Sequence, residues 1–117
     1  MFLGKLPQDC IASLYSISDL FILNSSYEGL PHVLLESLSY GVTTISTNAG
    51  GSSEVIEHNI NGILVPVGNY EALKSSVAWA LNPVNKDCFT EGMKATISNK
   101  FDELICYQNY LKAFESL

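Results

Sequence analysis

Arginine is absent from this 117-residue sequence. Its six basic residues are all lysines, set against twelve acidic ones, for a net charge of −6. Nucleic-acid binding needs a concentrated basic face, so that class is excluded. An anionic small ligand is not, because backbone N–H groups at a helix start hold anions without side-chain charge. Also missing is any apolar run of the roughly 18–20 residues that cross a bilayer. The opening "MFLGKLPQD" lacks the basic-then-apolar pattern of a signal peptide. Cysteine is scarce: Cys10, Cys88 and Cys106 are odd in number and far apart. That spacing is neither a disulfide framework nor a zinc pattern. It reads as three reduced, partly buried thiols in a cytosolic protein. No His, Cys and Asp residues cluster at metal-ligand spacing, so no metal is expected. Neither a serine-protease-like triad nor a Gly-x-Ser-x-Gly elbow occurs.

What is present is an ordinary globular composition, 47% hydrophobic, enough for one domain with a modest core. Apolar patterning alternates between two periods. "FLG" at 2–4 reads as the tail of a strand, and Pro7 starts a helix over about 8–17. "DLFILN" at 19–24 is a short buried strand, and "SSYEGLP" a loop. "HVLLESLSYG" is a helix stopped at Gly41, and "VTTIST" at 42–47 a β-branched strand. "NAGG" turns into a short helix, "SSEVIEHN", with Ser52 or Ser53 as the expected N-cap. Asn61 and Gly62 form a turn before the strand "ILVPV". Asn69 caps a helix whose stripe is Leu73, Val77, Ala80 and Leu81, with Trp79 expected in the core. Residues 82–85 break the chain, and two more helices are expected at about 86–97 and 103–116. Strand–helix alternation predicts an α/β fold, a Rossmann-like parallel sheet with flanking helices.

In such sheets ligands bind beyond the carboxyl ends of the strands, near helix starts. Two loops leave consecutive strands at that edge. The first holds Glu28, Gly29, Leu30 and Pro31 before a helix opening at His32 and Val33, with Glu36 one turn in. The helix start suits a phosphate, and a carboxylate accepts from sugar diols. Pro31 donates no N–H, so any amides come from Gly29, Leu30 and the residues from His32 on. On spacing alone the plainer reading is a capping Glu28 and a solvent-exposed helical Glu36. The second loop carries Gly50 and Gly51, which let a backbone approach a ligand or simply make a turn. Dipole stabilisation accounts for Glu54 and Glu57. His32 reads more plainly as a surface residue than as a ligand contact, and His58 as a helix-end residue.

Taken in order, "DLFILNSSYEGLPHVLLESLSYGVTTISTNAGGSSEVIEHNINGILVPVGN" resembles the nucleotide-sugar-binding half of retaining GT-B glycosyltransferases of family 4. The match rests on the Glu28–Glu36 pair, with seven residues between them, and its flanks, and covers about residues 2–81. Residues 98–117 are similar only to the closing helix region of such domains. The resemblance implies sugar transfer from a UDP- or GDP-linked donor to a glycan or lipid-linked acceptor, with retained configuration and no metal or cofactor. Glu28 matches the catalytic-site glutamate at the donor sugar and Glu36 the glutamate on the ribose. Gly29, Leu30, Pro31, His32 and Val33 line the donor, with Gly50 and Gly51 as a weaker second loop. Surface polysaccharide, lipopolysaccharide or glycolipid synthesis is the implied setting, in the cytoplasm or at the inner face of the membrane.

The resemblance also implies what this chain lacks. The family's acceptor domain, the first two strands of the donor domain and the basic pair on the diphosphate have no counterpart here. The chain 1–117 is therefore expected to be a partial donor-binding domain, inactive alone. The alternative is a non-catalytic fragment or binding subunit that works with a separate acceptor-domain chain. Any membrane contact would come through the missing region. An epimerase-like protein is a third and weaker reading. Strands 19–23, 42–47 and 63–67 are expected to pair contiguously, with the "FLG" stub unpaired or docked abnormally and an exposed edge prone to association.

Overall fold

The computed structural model describes residues 17–24 and 32–100. The strand expected at 2–4, the helix at 8–16, the loop at 25–31 and the helix at 103–116 lie outside the described residues, as do Cys10 and Cys106.

Three short strands, β1 (Phe21–Leu23), β2 (Thr44–Thr47) and β3 (Ile63–Val65), form a parallel sheet in that order. The register pairs Phe21 with Thr44 and Ile45 with Ile63. The contiguous pairing expected from the sequence is thus observed. Among the described residues four helices accompany the sheet: α1 (His32–Ser39), α2 (Ser52–Val55), α3 (Tyr70–Leu81) and α4 (Thr90–Asn99). Between α3 and α4 the Pro83–Asn85 segment closes a 3-10 turn, so the break at 82–85 is itself structured and the last described helix begins four residues later than expected.

Strand β2 is buried along its length, which requires that Thr44, Ser46 and Thr47 find partners inside the protein. Thr44 Oγ1 bonds the Val42 carbonyl at 2.9 Å and lies 2.8 Å from Ser37 Oγ of α1. Ser37 in turn bonds the Leu34 carbonyl at 2.9 Å. Helix α1 is enclosed on nearly every side, with Leu34, Leu35, Glu36, Ser37 and Leu38 all buried. It stops where the sequence says it should. Gly41, at φ 72°, donates to the Leu38 carbonyl, and Val42 donates to that of Ser37. This is the paired-bond stop that a left-handed residue permits. The core joins Leu34, Leu35, Leu38, Ile45, Ile56 and Ile63 across α1 and the sheet, with Phe89 and Met93 added from α4 and the turn before it.

Several local expectations are corrected. Helix α2 spans only four residues and is capped by Gly51, with no side-chain cap bond. Ser52 is the first helical residue and is buried, so neither serine is the N-cap. Trp79 is 39% exposed. Leu73, Val77 and Ala80 form the inward stripe of α3, and Trp79 falls a third of a turn off it. Its ring lies instead against Phe89, at 5.6 Å between centroids. Leu81 is likewise exposed, and Cys88 is an exposed thiol rather than a partly buried one. Asn69 caps α3 as expected, its Oδ1 accepting from Ala72 N–H at 3.0 Å.

Candidate functional site

Parallel strands with their helices on return crossovers put all three carboxyl ends on one edge of the sheet. At that edge β1 ends at Leu23 and β2 at Thr47, and the two ends are tied by Thr47 Oγ1 donating to the Leu23 carbonyl at 3.4 Å. The loop leading from β1 to α1 contains Glu28, Gly29, Leu30 and Pro31, which lie outside the described residues. His32 opens α1, Val33 is half-buried, and Glu36 follows one turn on.

Glu36 is 2% exposed. The reading of it as a solvent-facing helical glutamate is therefore overturned. A charged carboxylate is rarely buried to that degree unless it is paired or hydrogen-bonded, because taking it out of water is costly, and Glu36 is not without a partner inside the protein.

The second loop runs from Asn48 to Gly51. Asn48 N–H donates to the Val65 carbonyl at 2.8 Å, which pins the loop across the end of β3. Gly50 takes a positive φ of 57°, and the chain re-enters a helix at Ser52, whose N–H bonds the Ala49 carbonyl. Glu54 is exposed in the first turn of α2, consistent with a dipole role, whereas Glu57 lies beyond the Ile56 C-cap, at the wrong end of the helix for one, which corrects that expectation. Ser52 Oγ is fully buried and, among the described residues, has no hydrogen-bond partner. The Gly50–Gly51 turn follows the carboxyl end of β2, and α1, which carries Glu36, follows β1 in the chain.

Two clefts among the described residues lie elsewhere. One of about 540 Å³ opens at the amino edge of the sheet between Asp19, Thr43, Asn82 and Lys86. Another of about 500 Å³ runs between the end of α1 and α4, past Tyr40, Met93 and Ile97. Neither touches the carboxyl edge.

Comparison with known proteins fits this arrangement. The family described as "Glycosyl transferases group 1" matches residues 1–87, about three-quarters of the chain. The chain belongs to the group 1 glycosyl transferases. N-acetyl-alpha-D-glucosaminyl L-malate synthase of Bacillus anthracis is 46% identical over 69 residues, covering 59% of this chain and 18% of that protein. The amylovoran biosynthesis glycosyltransferase AmsK of Erwinia amylovora is 29% identical over 122 residues, covering 97% of this chain and 30% of that protein. Among solved structures, a glycosyltransferase from Rickettsia africae superposes with a TM-score of 0.73 at 30% identity, over 89% of this chain and 28% of that one. Anabaena HepE, solved in complex with UDP, superposes at 0.69 with 25% identity, over 89% of this chain and 29% of that one. These neighbours are GT-B glycosyltransferases, and the α/β architecture is theirs. The chain spans 18% and 30% of the length of the two curated relatives above. No helix among the described residues of this group 1 transferase chain is long and apolar enough to cross a membrane.

Two residues do more than their sequence context suggested. His58 lies outside α2, and its Nδ1 accepts from Leu64 N–H at 3.1 Å, capping the outer edge of β3. Asn61, expected only as a turn residue, is fully buried with its amide saturated. An Asn-Gly pair between apolar segments signals a turn, and nothing in that signal announces burial.

Proposed function

We propose that the chain forms the donor-binding part of a retaining, family 4 glycosyltransferase that takes a UDP- or GDP-linked sugar. The burial of the Glu36 carboxylate in the first turns of α1, at the carboxyl edge of the sheet, carries this reading. In it, Glu36 accepts from the ribose hydroxyls. The first amides of α1, with the dipole behind them, meet the diphosphate. Glu28 contacts the donor sugar as the catalytic-site carboxylate. Gly29, Leu30, His32 and Val33 line the donor, Pro31 contributes shape but no N–H, and Gly50 and Gly51 approach from the second loop. HepE, whose structures hold UDP and UDP-glucose, supports a nucleotide-sugar ligand for this fold.

The acceptor is a glycan or a lipid-linked glycan of surface polysaccharide or glycolipid synthesis. Relatives named for amylovoran and lipopolysaccharide core biosynthesis support that class. The reaction requires no metal in this reading. Charge on the departing nucleotide would be stabilised by donors aimed at the diphosphate. With no arginine in the sequence, the amides of α1 are this chain's contribution, and the isolated chain binds donor without transferring sugar. Sugar transfer by the chain alone contradicts that assignment. A second reading is a binding subunit completed by a separate acceptor-domain chain. Transfer activity that appears only on mixing the two chains distinguishes it.

The decisive experiment is a melt of the chain with UDP, GDP and their sugars. A ligand at a hundredfold excess over its dissociation constant adds about 2.7 kcal/mol to the folded state. A shift with one nucleotide identifies the base, and no shift with any of them overturns the donor site. Glu28→Ala is expected to weaken a nucleotide sugar more than the free nucleotide. Equal losses remove its sugar contact.

A further inference from the structure

Asn61 precedes β3, at the edge of the sheet opposite the proposed donor site, yet its side chain is 0% exposed. Its amide uses all its principal capacity. Oδ1 accepts from Glu57 N–H at 2.8 Å, and Nδ2 donates to the Val55 carbonyl at 2.9 Å and to Thr96 Oγ1 at 2.7 Å. The first two bonds hold the exit of α2. The third holds α4, where Thr96 Oγ1 also donates to the Gly92 carbonyl at 3.0 Å. Gly92 completes the joint, because a Cβ there would overlap the Ile60 carbonyl oxygen. Only a residue without one lets α4 rest on the Ile60–Asn61 turn.

The two elements that Asn61 fastens are the helices against which α1 packs. Helix α1 carries Glu36 and spans only eight residues, and among the described elements it packs chiefly on these helices and β2. We propose that Asn61 is a positioning residue for Glu36. By locking α2 to α4 it fixes the slot that holds α1, and so sets where the buried carboxylate stands at the other edge of the sheet. A carboxylate that accepts two diol hydrogen bonds tolerates displacement of only a fraction of an ångström before geometry is lost. The inference rests on the reading of Glu36 as a donor contact.

The test uses Thr96→Val, which keeps the volume and removes the hydroxyl, and with it the bond between α4 and Asn61 and the bond within α4 to the Gly92 carbonyl. Nucleotide affinity, for UDP and GDP, is measured by calorimetry on the 117-residue chain at a temperature where every variant is folded. Thr96→Val is expected to weaken binding threefold to tenfold, and Thr96→Ser, which retains the hydroxyl, to stay within twofold. Val77→Ala, in α3 on the sheet, supplies a comparable loss of melting temperature with affinity unchanged. Equal affinity losses in Thr96→Val and Val77→Ala, or none in Thr96→Val, overturn the proposal. If the parent chain binds neither nucleotide, the donor reading fails, and amide hydrogen exchange decides the positioning claim separately. Thr96→Val is then expected to speed exchange at Leu38 and Tyr40 of α1 and its cap at least tenfold relative to Ile45 of β2. An unchanged ratio overturns it.

Discussion

Helices α1 and α3 are built on opposite terms. Helix α3 has twelve residues, a side-chain cap, a single inward stripe and only Ala80 fully buried. Helix α1 has eight, and five consecutive residues of it are buried, one of them a glutamate. A surface helix can be made from propensity, a cap and one apolar face. A helix enclosed on all sides draws its stability from neighbours, and a polar residue inside it must be accounted for individually. In α1 the account for Ser37 is Thr44, whose hydroxyl lies 2.8 Å from its own.

Truncation contrasts the two helices most sharply. Leu35→Ala in α1 should cost about 2–5 kcal/mol, as for a buried leucine whose cavity cannot collapse. Leu81→Ala in α3, 55% exposed, should cost within about 0.5 kcal/mol. Denaturant melts of the two variants measure the gap, and similar losses would erase the contrast. Next in size is Glu36→Ala, expected to weaken UDP or GDP binding by about 1.5–3 kcal/mol, from tenfold to more than a hundredfold. Unchanged affinity removes the ribose role. Asn69→Ala should lower stability by about 1 kcal/mol through loss of the cap on α3. Smallest of all is Ser52→Ala. Its hydroxyl is buried without a partner among the described residues, so removal should leave stability within about 0.5 kcal/mol of the parent or raise it. A clear loss would reveal a partner gained in solution.

Much of the architecture could be read from the sequence because local signals agreed with the final packing. Strand β2 announced itself through β-branched residues, α1 through Gly41, and α3 through Asn69. Trp79 was misread because a helical stripe was drawn too wide, and only the direction of the sheet decides which residues of α3 face inward. The length of α2 could not be read, since "SSEVIEHN" supports a longer helix until Asn61 captures Glu57 N–H and diverts the chain. Burial of Glu36 was equally hidden. Local spacing places it on a helix face, but α4, more than fifty residues on, helps enclose that helix. Long-range enclosure and side-chain capture are tertiary events, and no local pattern encodes them.

The imidazole of His58 gives the sheet a direction. By accepting from Leu64 N–H it occupies the outer margin of β3, where another strand would have to attach. The margin of β1 carries no such plug among the described residues. A ribbon with two open margins can add units without end, whereas a ribbon with one can add a neighbour and then has no margin left to offer. Among the described residues, a strand attaching at the β3 margin would first have to displace the His58 bond to Leu64 N–H.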